Sequence, residues 1–315
     1  ADHIAPDWTL VAGVEQDYTA ASFFSPISPA QMVLNYVATT TDSAAMWIER
    51  SWNSTWTAGL GARWSYESTT MSNYGLHGYG YHVPIPLAIV EWQPWKDQTF
   101  SLSYGTGYRS GGQINTGPAT YVPERSRNFE FAWRAQWLDG KVHTALSAFE
   151  GEIHNRFTYY LTNTGGTLFA SVRDRGIEFE ITDDLSDAWR LRAGIGSLNS
   201  HFSSFIYQFG EPTAEAPPET ATFGMRYGFE RGWYGALDVY HAAAALYYSP
   251  SGRLPAYTAV SVGAGYRSKD WDTKLIVTNA LDADFIERIE LSAAYQTGYR
   301  LGDPRRIELR IKRNW

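Results

Sequence analysis

A set of charged residues recurs at every second position of segments whose other positions are apolar. In one such segment, Arg226 lies between Met225 and Tyr227. Both signs occur on neighbouring segments, so two compatible interpretations stay open: cross-strand ion pairs that stiffen a wall, or the selectivity-setting lining of a pore. The predicted lining residues are Arg63, Glu67, Glu130, Arg134, Glu178, Glu180, Arg190, Arg192, Arg226, Glu230, Glu308, Arg310 and Lys312.

Other chemistries find little support in the sequence. It contains no His-Glu-x-x-His, no nucleophile elbow and no P-loop, so we predict that the protein is not an enzyme. The glycine-rich run at residues 105–112 lacks the βαβ context of a dinucleotide fingerprint. His77, His82, His154 and His201 leave a metal or haem site on the external side open, although scattered histidines are usually solvated. A hydrolase on the rim would need a Ser–His pair, and none has diagnostic spacing. We therefore predict no cofactor and no metal.

The elements that carry these charges have the period of β-strands. The alternating segments run for about ten residues, which suits a tilted membrane crossing better than the strands of about 5–6 residues in a soluble β-sandwich. Aromatic residues make up 16% of the chain, and Trp56, Trp64 and Tyr66 lie near segment ends, as in the girdles of a lipid-facing barrel. No run approaches the roughly 18 apolar residues of a transmembrane helix. The residues predicted to face lipid include Phe129, Phe131, Trp133, Phe223, Met225 and Phe229.

Short and long connections alternate along the chain, which is typical of outer-membrane barrels with short periplasmic turns and long external loops. The sequence therefore predicts an all-β fold, a transmembrane antiparallel up-and-down β-barrel of about 14 strands without a plug. Residues 1–315 form one domain in this prediction, with 1–7 as a short periplasmic segment and 8–18 pairing with 304–315 to close the barrel. The predicted strands are 8–18, 33–51, 56–67, 82–93, 99–109, 127–138, 141–157, 170–182, 189–201, 220–230, 233–248, 257–268, 271–279 and 304–315.

The last predicted strand carries a further signal. Ile307, Leu309 and Ile311 share one face, and the chain ends on the aromatic residue Trp315. An alternating final strand with a terminal aromatic residue is the pattern that the outer-membrane assembly machinery recognises. We therefore predict that this machinery is a partner and that Trp315 is part of the assembly signal.

Several segments resemble the C-terminal barrel of TonB-dependent receptors, especially those for iron–siderophore complexes. Residues 102–115 read LSYGTGYRSGGQIN, which is similar to the family's Gly-Tyr-Arg-x-Gly-Gly-x-Asn strand end. Residues 121–140 contain the Pro-Glu and Leu-Asp-Gly elements of its next hairpin. Residues 175–180 (RGIEFE), 277–282 (VTNALD) and 302–305 (GDPR) follow in the family's order. The resemblance implies an outer-membrane barrel of that topology.

Chain length sets this sequence apart from the family, whose members combine about 22 strands with a plug that fills the lumen. At about ten residues per strand, 22 strands would leave no room for a plug in 315 residues. We therefore expect a barrel without a plug, and we do not expect the TonB-driven uptake of the family in this protein.

Two functions fit these expectations. The first is a passive or weakly selective channel for small solutes. The second is a non-transporting scaffold that binds a lipoprotein, another outer-membrane protein or further copies of itself, or a barrel whose plug is supplied by another chain. Outer-membrane lipids and lipopolysaccharide are expected partners in both cases. Nucleic acid is not an expected partner, because 33 acidic residues outnumber 26 basic ones.

Overall fold

The fold is given by a computed structural model of the chain. It describes residues 2–5, 7–28, 31–71, 77–113, 120–158, 168–204, 210, 212–213, 216–228, 230–246, 253–291 and 297–313. The regular elements in these ranges are all β-strands. The described part of the chain holds no helix with the length and apolar character needed to cross a membrane.

The strands form one large antiparallel sheet and three small hairpins. Fifteen strands follow one another in the large sheet, in the order β1-β2-β3-β4-β5-β6-β9-β10-β11-β12-β13-β14-β17-β18-β21. The pairs β7–β8, β15–β16 and β19–β20 lie in the long connections. The strands are β1 (Asp2–Ala5), β2 (Trp8–Ser28), β3 (Gln31–Trp52), β4 (Trp56–Met71), β5 (His77–Trp95), β6 (Gln98–Arg109), β7 (Gly112–Gln113), β8 (Thr120–Tyr121), β9 (Glu124–Trp137), β10 (Val142–Thr158), β11 (Leu168–Ser186), β12 (Trp189–Ser204), β13 (Glu219–Gly228), β14 (Gly232–Ala242), β15 (Ala245–Leu246), β16 (Arg253–Leu254), β17 (Tyr257–Arg267), β18 (Trp271–Thr278), β19 (Ile286–Leu291), β20 (Thr297–Leu301) and β21 (Arg306–Arg313).

The predicted up-and-down arrangement of about 14 strands is confirmed. Apart from the four-residue β1, the large sheet has fourteen strands, and each overlaps one predicted segment. The main differences are in length. Strand β2 continues to Ser28, ten residues beyond the predicted end, whereas β13 stops at Gly228, before Glu230. Gly228 has a φ of 140° and Gly232 a φ of 105°, so the chain turns between them in conformations that favour glycine.

One face of the sheet exposes large apolar side chains along its whole width. The register places Phe131 opposite Leu102 and Ala148, and Phe223 opposite Ala193 and Val239. We call this the outer face, because an apolar surface of this extent is stable only against an apolar surrounding. The opposite side, which carries the charged residues, is the inner face. Exposed members of the outer face include Leu60, Trp64, Leu102, Phe129, Phe131, Ile177, Ile195, Phe223, Val262, Leu275, Ile307, Leu309 and Ile311.

Aromatic rings follow the outer face at the end of the short turns. Trp56 stacks on Trp92, with their centroids 5.7 Å apart, and Trp233 meets Tyr266 edge-on at 5.3 Å. Amphipathic rings are favoured at headgroup depth, so this row marks one boundary of the apolar band. Further members are Phe100, Trp133, Trp137, Trp189, Tyr227 and Trp271.

The two edges of the sheet differ from the expected closure. Trp8 and Leu10 pair with Ala5 and Asp2 of β1, so a short strand occupies the edge that was predicted to meet the last strand. Among the described residues, β21 pairs with β18 and does not pair with β2. Closure by residues 8–18 and 304–315 is therefore not confirmed, and the predicted segment 1–7 contains a strand. Trp315, the predicted assembly signal, and Phe229, which was predicted to face lipid, lie outside the described residues.

Candidate functional site

The inner face brings charged residues of β12, β13 and β14 together near the short turns. The register sets Arg192 opposite Gly224, which in turn lies opposite Asp238. A Cβ on Gly224 would come within 2.4 Å of Arg192 Nε, so the absence of a side chain there lets Arg192 reach across β13. Alternation puts these side chains on one face, and the glycine makes their contact possible.

Asp238 joins two predicted lining residues into one cluster. Its Oδ1 accepts hydrogen bonds from Arg192 Nη2 and Arg226 Nη2, each at 2.9 Å, and its Oδ2 lies 3.0 Å from Arg226 Nη2. The side chains are 39% (Asp238), 62% (Arg192) and 45% (Arg226) exposed. We name these three residues the Asp238 cluster. It presents two cations and one anion to the inner space while remaining solvated.

Arg63 lies in a second polar group, on β2 to β4. Its Nη2 is 3.1 Å from Glu15 Oε2 and donates to Ser43 Oγ at 2.9 Å, while its Nε donates to Ser65 Oγ at 3.2 Å. Ser43 and Ser65 also bond to each other at 3.0 Å. This part of the inner face is a hydrogen-bonded network, which supports the wall-stiffening interpretation for Arg63.

Glu67, four residues after Arg63 on the same face, is covered by the connection between β6 and β9. It is only 1% exposed, and Ser110 Oγ donates to its Oε2 at 2.6 Å. The tyrosines Tyr79 and Tyr81 of β5 donate to the carbonyls of Gly111 (3.1 Å) and Tyr121 (2.8 Å). The connection therefore lies across the inner face at this end of the sheet. Oε1 of Glu67 is buried and has no hydrogen-bond partner within the described part of the chain.

The remaining predicted residues are spread along the wall. Arg190 pairs with Asp184 at 2.5 Å, and Glu308 forms an ion pair with Arg310 of its own strand. Glu230 is exposed in the turn after β13 and lies outside the strand in which it was predicted. The others lie at inner-face positions of the ladder: Glu130 opposite Ser103, Glu178 opposite Gly196, Lys312 opposite Asp272, and Arg134 and Glu180 lining a cavity of about 350 Å³.

Sequence reasoning missed the partners of the predicted residues. Asp238 carried a usable signal, because it is a charged residue between the apolar Leu237 and Val239 in an alternating segment. Glu15 and Asp184 were harder to recognise from the sequence. Glu15 lies in a strand whose extent was uncertain, and Asp184 lies at a predicted turn. No periodic signal marks Ser110, which reaches Glu67 only through the path of a connection.

A metal site on the rim receives no support from the described residues. No group of three or more His, Cys, Asp or Glu side chains in them is arranged to hold a metal ion. His82 packs against Tyr66, with ring centroids 4.8 Å apart, and His154 Nε2 lies 3.6 Å from Glu152 Oε2. These two histidines thus have neighbours that account for their positions.

Comparisons with known proteins agree on one architecture. A family model described as "TonB dependent receptor-like, beta-barrel" matches residues 2–280. The metal-pseudopaline receptor CntO of Pseudomonas aeruginosa is 26% identical over 219 residues, which cover 65% of this chain and 30% of the receptor.

Solved structures show the same fold. The ferric yersiniabactin uptake receptor FyuA of Yersinia pestis superposes with a TM-score of 0.82 at 14% identity, over 98% of this chain and 51% of that protein. The ferric preacinetobactin receptor BauA of Acinetobacter baumannii gives a TM-score of 0.78 at 16% identity, over 96% and 51%. The chain thus spans about half the length of these structures and less than a third of the curated relative.

Proposed function

Because the chain belongs to the TonB-dependent receptor-like β-barrels, which are outer-membrane transport proteins, we propose that its inner face lines a passage for small polar solutes. The observation that carries this proposal is the Asp238 cluster. Its charged groups are well exposed on the face opposite the apolar one. Charges in such a position are stable only when they are hydrated.

The arrangement of signs favours a weakly selective channel. Arg192 and Arg226 flank Asp238, and Arg63 pairs with Glu15. Rings of one sign produce strong ion selectivity, whereas alternating signs cancel each other's field over a short distance. We therefore expect passage with a slight preference for anions near the Asp238 cluster.

The relatives suggest a class of solute. CntO is a metal-pseudopaline receptor, and FyuA is a ferric yersiniabactin uptake receptor. We propose small metal chelates as the solutes for which the passage is adapted. Guanidinium groups that face the inner space would donate hydrogen bonds to the anionic oxygens of such a chelate.

Two connections would limit the size of the passage. The connection after β6 lies against the inner face at Glu67 and Tyr79. The connection after β18 begins with Asn279, whose Nδ2 donates hydrogen bonds to the carbonyl oxygens of Ala283 and Asp303. In the same connection, Phe285 stacks on Tyr257 with ring centroids 4.3 Å apart. Segments held at the inner wall narrow the water-filled path, so the expected conductance is small.

Conductance of the purified protein in planar bilayers tests the proposal. Wild type should give small, weakly selective steps. Asp238→Asn should move the reversal potential further toward anions, because it leaves Arg192 and Arg226 without their counter-charge. The matched control is Asp183→Asn, since the register places Asp183 on the outer face opposite Val142. An electrically silent protein that co-purifies with a stoichiometric partner would contradict the channel and favour the scaffold.

A further inference from the structure

The outer face carries a second group of charges at the edge of its apolar band. On β9, the apolar positions run from Trp137 at the short turn to Phe129, which is about 26 Å of strand at about 3.3 Å per residue. At a strand tilt of about 45° this stretch rises about 19 Å, and the next outward position, Arg127, is about 23 Å above the turn, so it lies at the edge of an apolar band about 25 Å tall. The register brings five charged residues together there, which we call the outer ionic cluster: Arg127, Glu150, Glu152, Arg173 and Arg175.

The cluster is built around a buried carboxylate. Glu152 is 8% exposed and forms an ion pair with Arg127, while Arg173 Nη2 lies 3.6 Å from its Oε1. Glu150 Oε1 accepts a hydrogen bond from Arg175 Nη2 at 3.0 Å and lies 3.8 Å from Arg173 Nε. The three guanidinium groups outnumber the two carboxylates, so the cluster keeps a net positive charge.

One donor of the cluster is buried without an acceptor. Arg173 Nε has no hydrogen-bond partner among the described residues. Arg173 and Glu152 line a cavity of about 510 Å³ together with His154, Ser171 and His201. A buried N–H without a partner is unfavourable, and an oxyanion in this cavity would satisfy it.

An apolar cavity adjoins the charges on the side of the membrane. It has a volume of about 470 Å³, and its lining combines the apolar residues Leu102, Phe129, Phe131 and Ile177 with polar ones that include Glu150 and Arg175. The surface therefore offers guanidinium groups at the edge of the apolar band and an apolar groove next to them. Free phosphate would use only the first of these features, whereas a phosphorylated lipid would use both.

We propose that the outer ionic cluster binds a phosphate group of lipopolysaccharide while an acyl chain of the same lipid lies in the apolar groove. Arg173 and Arg175 donate charge-assisted hydrogen bonds to the phosphate oxygens, and Phe129, Phe131 and Ile177 contact the acyl chain. The site is on the outer face and is separate from the proposed passage, so either proposal can fail without the other.

Binding of bisphosphorylated lipid A to the full chain in detergent micelles, followed by native mass spectrometry, tests this site. Wild type should bind it more tightly than lipid A from which the phosphates have been removed. The double variant Arg173→Gln/Arg175→Gln should bind about tenfold more weakly, because charge-assisted bonds are lost. The matched control is Arg231→Gln, an exposed arginine in a short turn at the other end of the sheet.

A second variant guards against a folding defect in the double variant. Glu150→Gln keeps the side-chain shape but removes the charge that competes for Arg173 and Arg175, so it should tighten lipid A binding severalfold. Unchanged affinity in both variants, or an equal loss in Arg231→Gln, would overturn the site. Competition by millimolar inorganic phosphate that matches intact lipid A would reduce it to a general anion site and overturn the lipid assignment.

Discussion

The outer and inner faces of β13 and β14 are built from alternate residues of the same strands, yet they meet different surroundings. Phe223 on the outer face packs beside Val239 and is 39% exposed. On the inner face its neighbour Gly224 leaves space that Arg192 fills on its way to Asp238. The stability of the outer face depends on the apolar solvent that it contacts, whereas the stability of the inner face depends on contacts between specific side chains. Substitutions of one chemical type should therefore have different effects on the two faces.

The largest difference is expected for an arginine placed on each face. Phe223→Arg should destabilise the folded protein in lipid by about 2–4 kcal/mol, because a guanidinium near the middle of the apolar band is poorly solvated. Thr222→Arg, one residue away on the inner face, should change the free energy of unfolding little. Urea unfolding of both variants in lipid bilayers measures the difference. If Thr222→Arg were the damaging variant, the faces would be assigned the wrong way round.

A smaller effect is expected where the inner face is tightly packed. Gly224→Ala should lower the free energy of unfolding by about 1–3 kcal/mol, because the added Cβ overlaps Arg192. Gly13→Ala is the matched control, because Gly13 of β2 also lies on the inner face and a Cβ there would meet nothing within 4 Å. Equal stabilities of the two variants in the same unfolding assay would show that Arg192 is not held across Gly224.

The smallest change in stability is expected where a connection covers the inner face. Ser110→Ala removes the donor to the buried Glu67 carboxylate and should lower stability by about 1–2 kcal/mol. It should also make the connection after β6 more susceptible to added protease, whereas Ser110→Thr keeps the hydroxyl and should behave like wild type. Limited proteolysis read by mass spectrometry provides the measurement. Resistance equal to wild type in Ser110→Ala would mean that other contacts hold the connection.

Much of the large sheet could be predicted from the sequence because alternation is a local property. Each of the fourteen long strands was located, and Phe129, Phe131 and Phe223 lie on the face assigned to them. The short strand β1 was missed because four residues are too few to show a period. Strand β2 was predicted too short because its second part, from Thr19 to Ser28, lacks clear alternation of apolar and polar residues.

The candidate site was less predictable than the sheet. Alternation placed Arg192 and Arg226 on one face, but their meeting at Asp238 depends on the stagger between three strands and on the space above Gly224. The burial of Glu67 depends on the path of a connection, which leaves no periodic trace in the sequence. The alternation of apolar and polar residues therefore predicts the face on which a side chain lies. Its interaction partner depends on the register between strands and on the course of the connections.

The length of the β2–β3 hairpin has a consequence for the cell surface. The two strands have 21 and 22 residues, which is about 70 Å of paired backbone at about 3.3 Å per residue. Even with a tilt of about 45°, this ribbon rises about 50 Å, roughly twice the apolar band. We expect its far half to extend beyond the membrane into the extracellular medium, where soluble proteins can reach it. The backbone ladder between the strands keeps their peptide bonds in an extended, paired form, so we expect this exposed ribbon to resist cleavage.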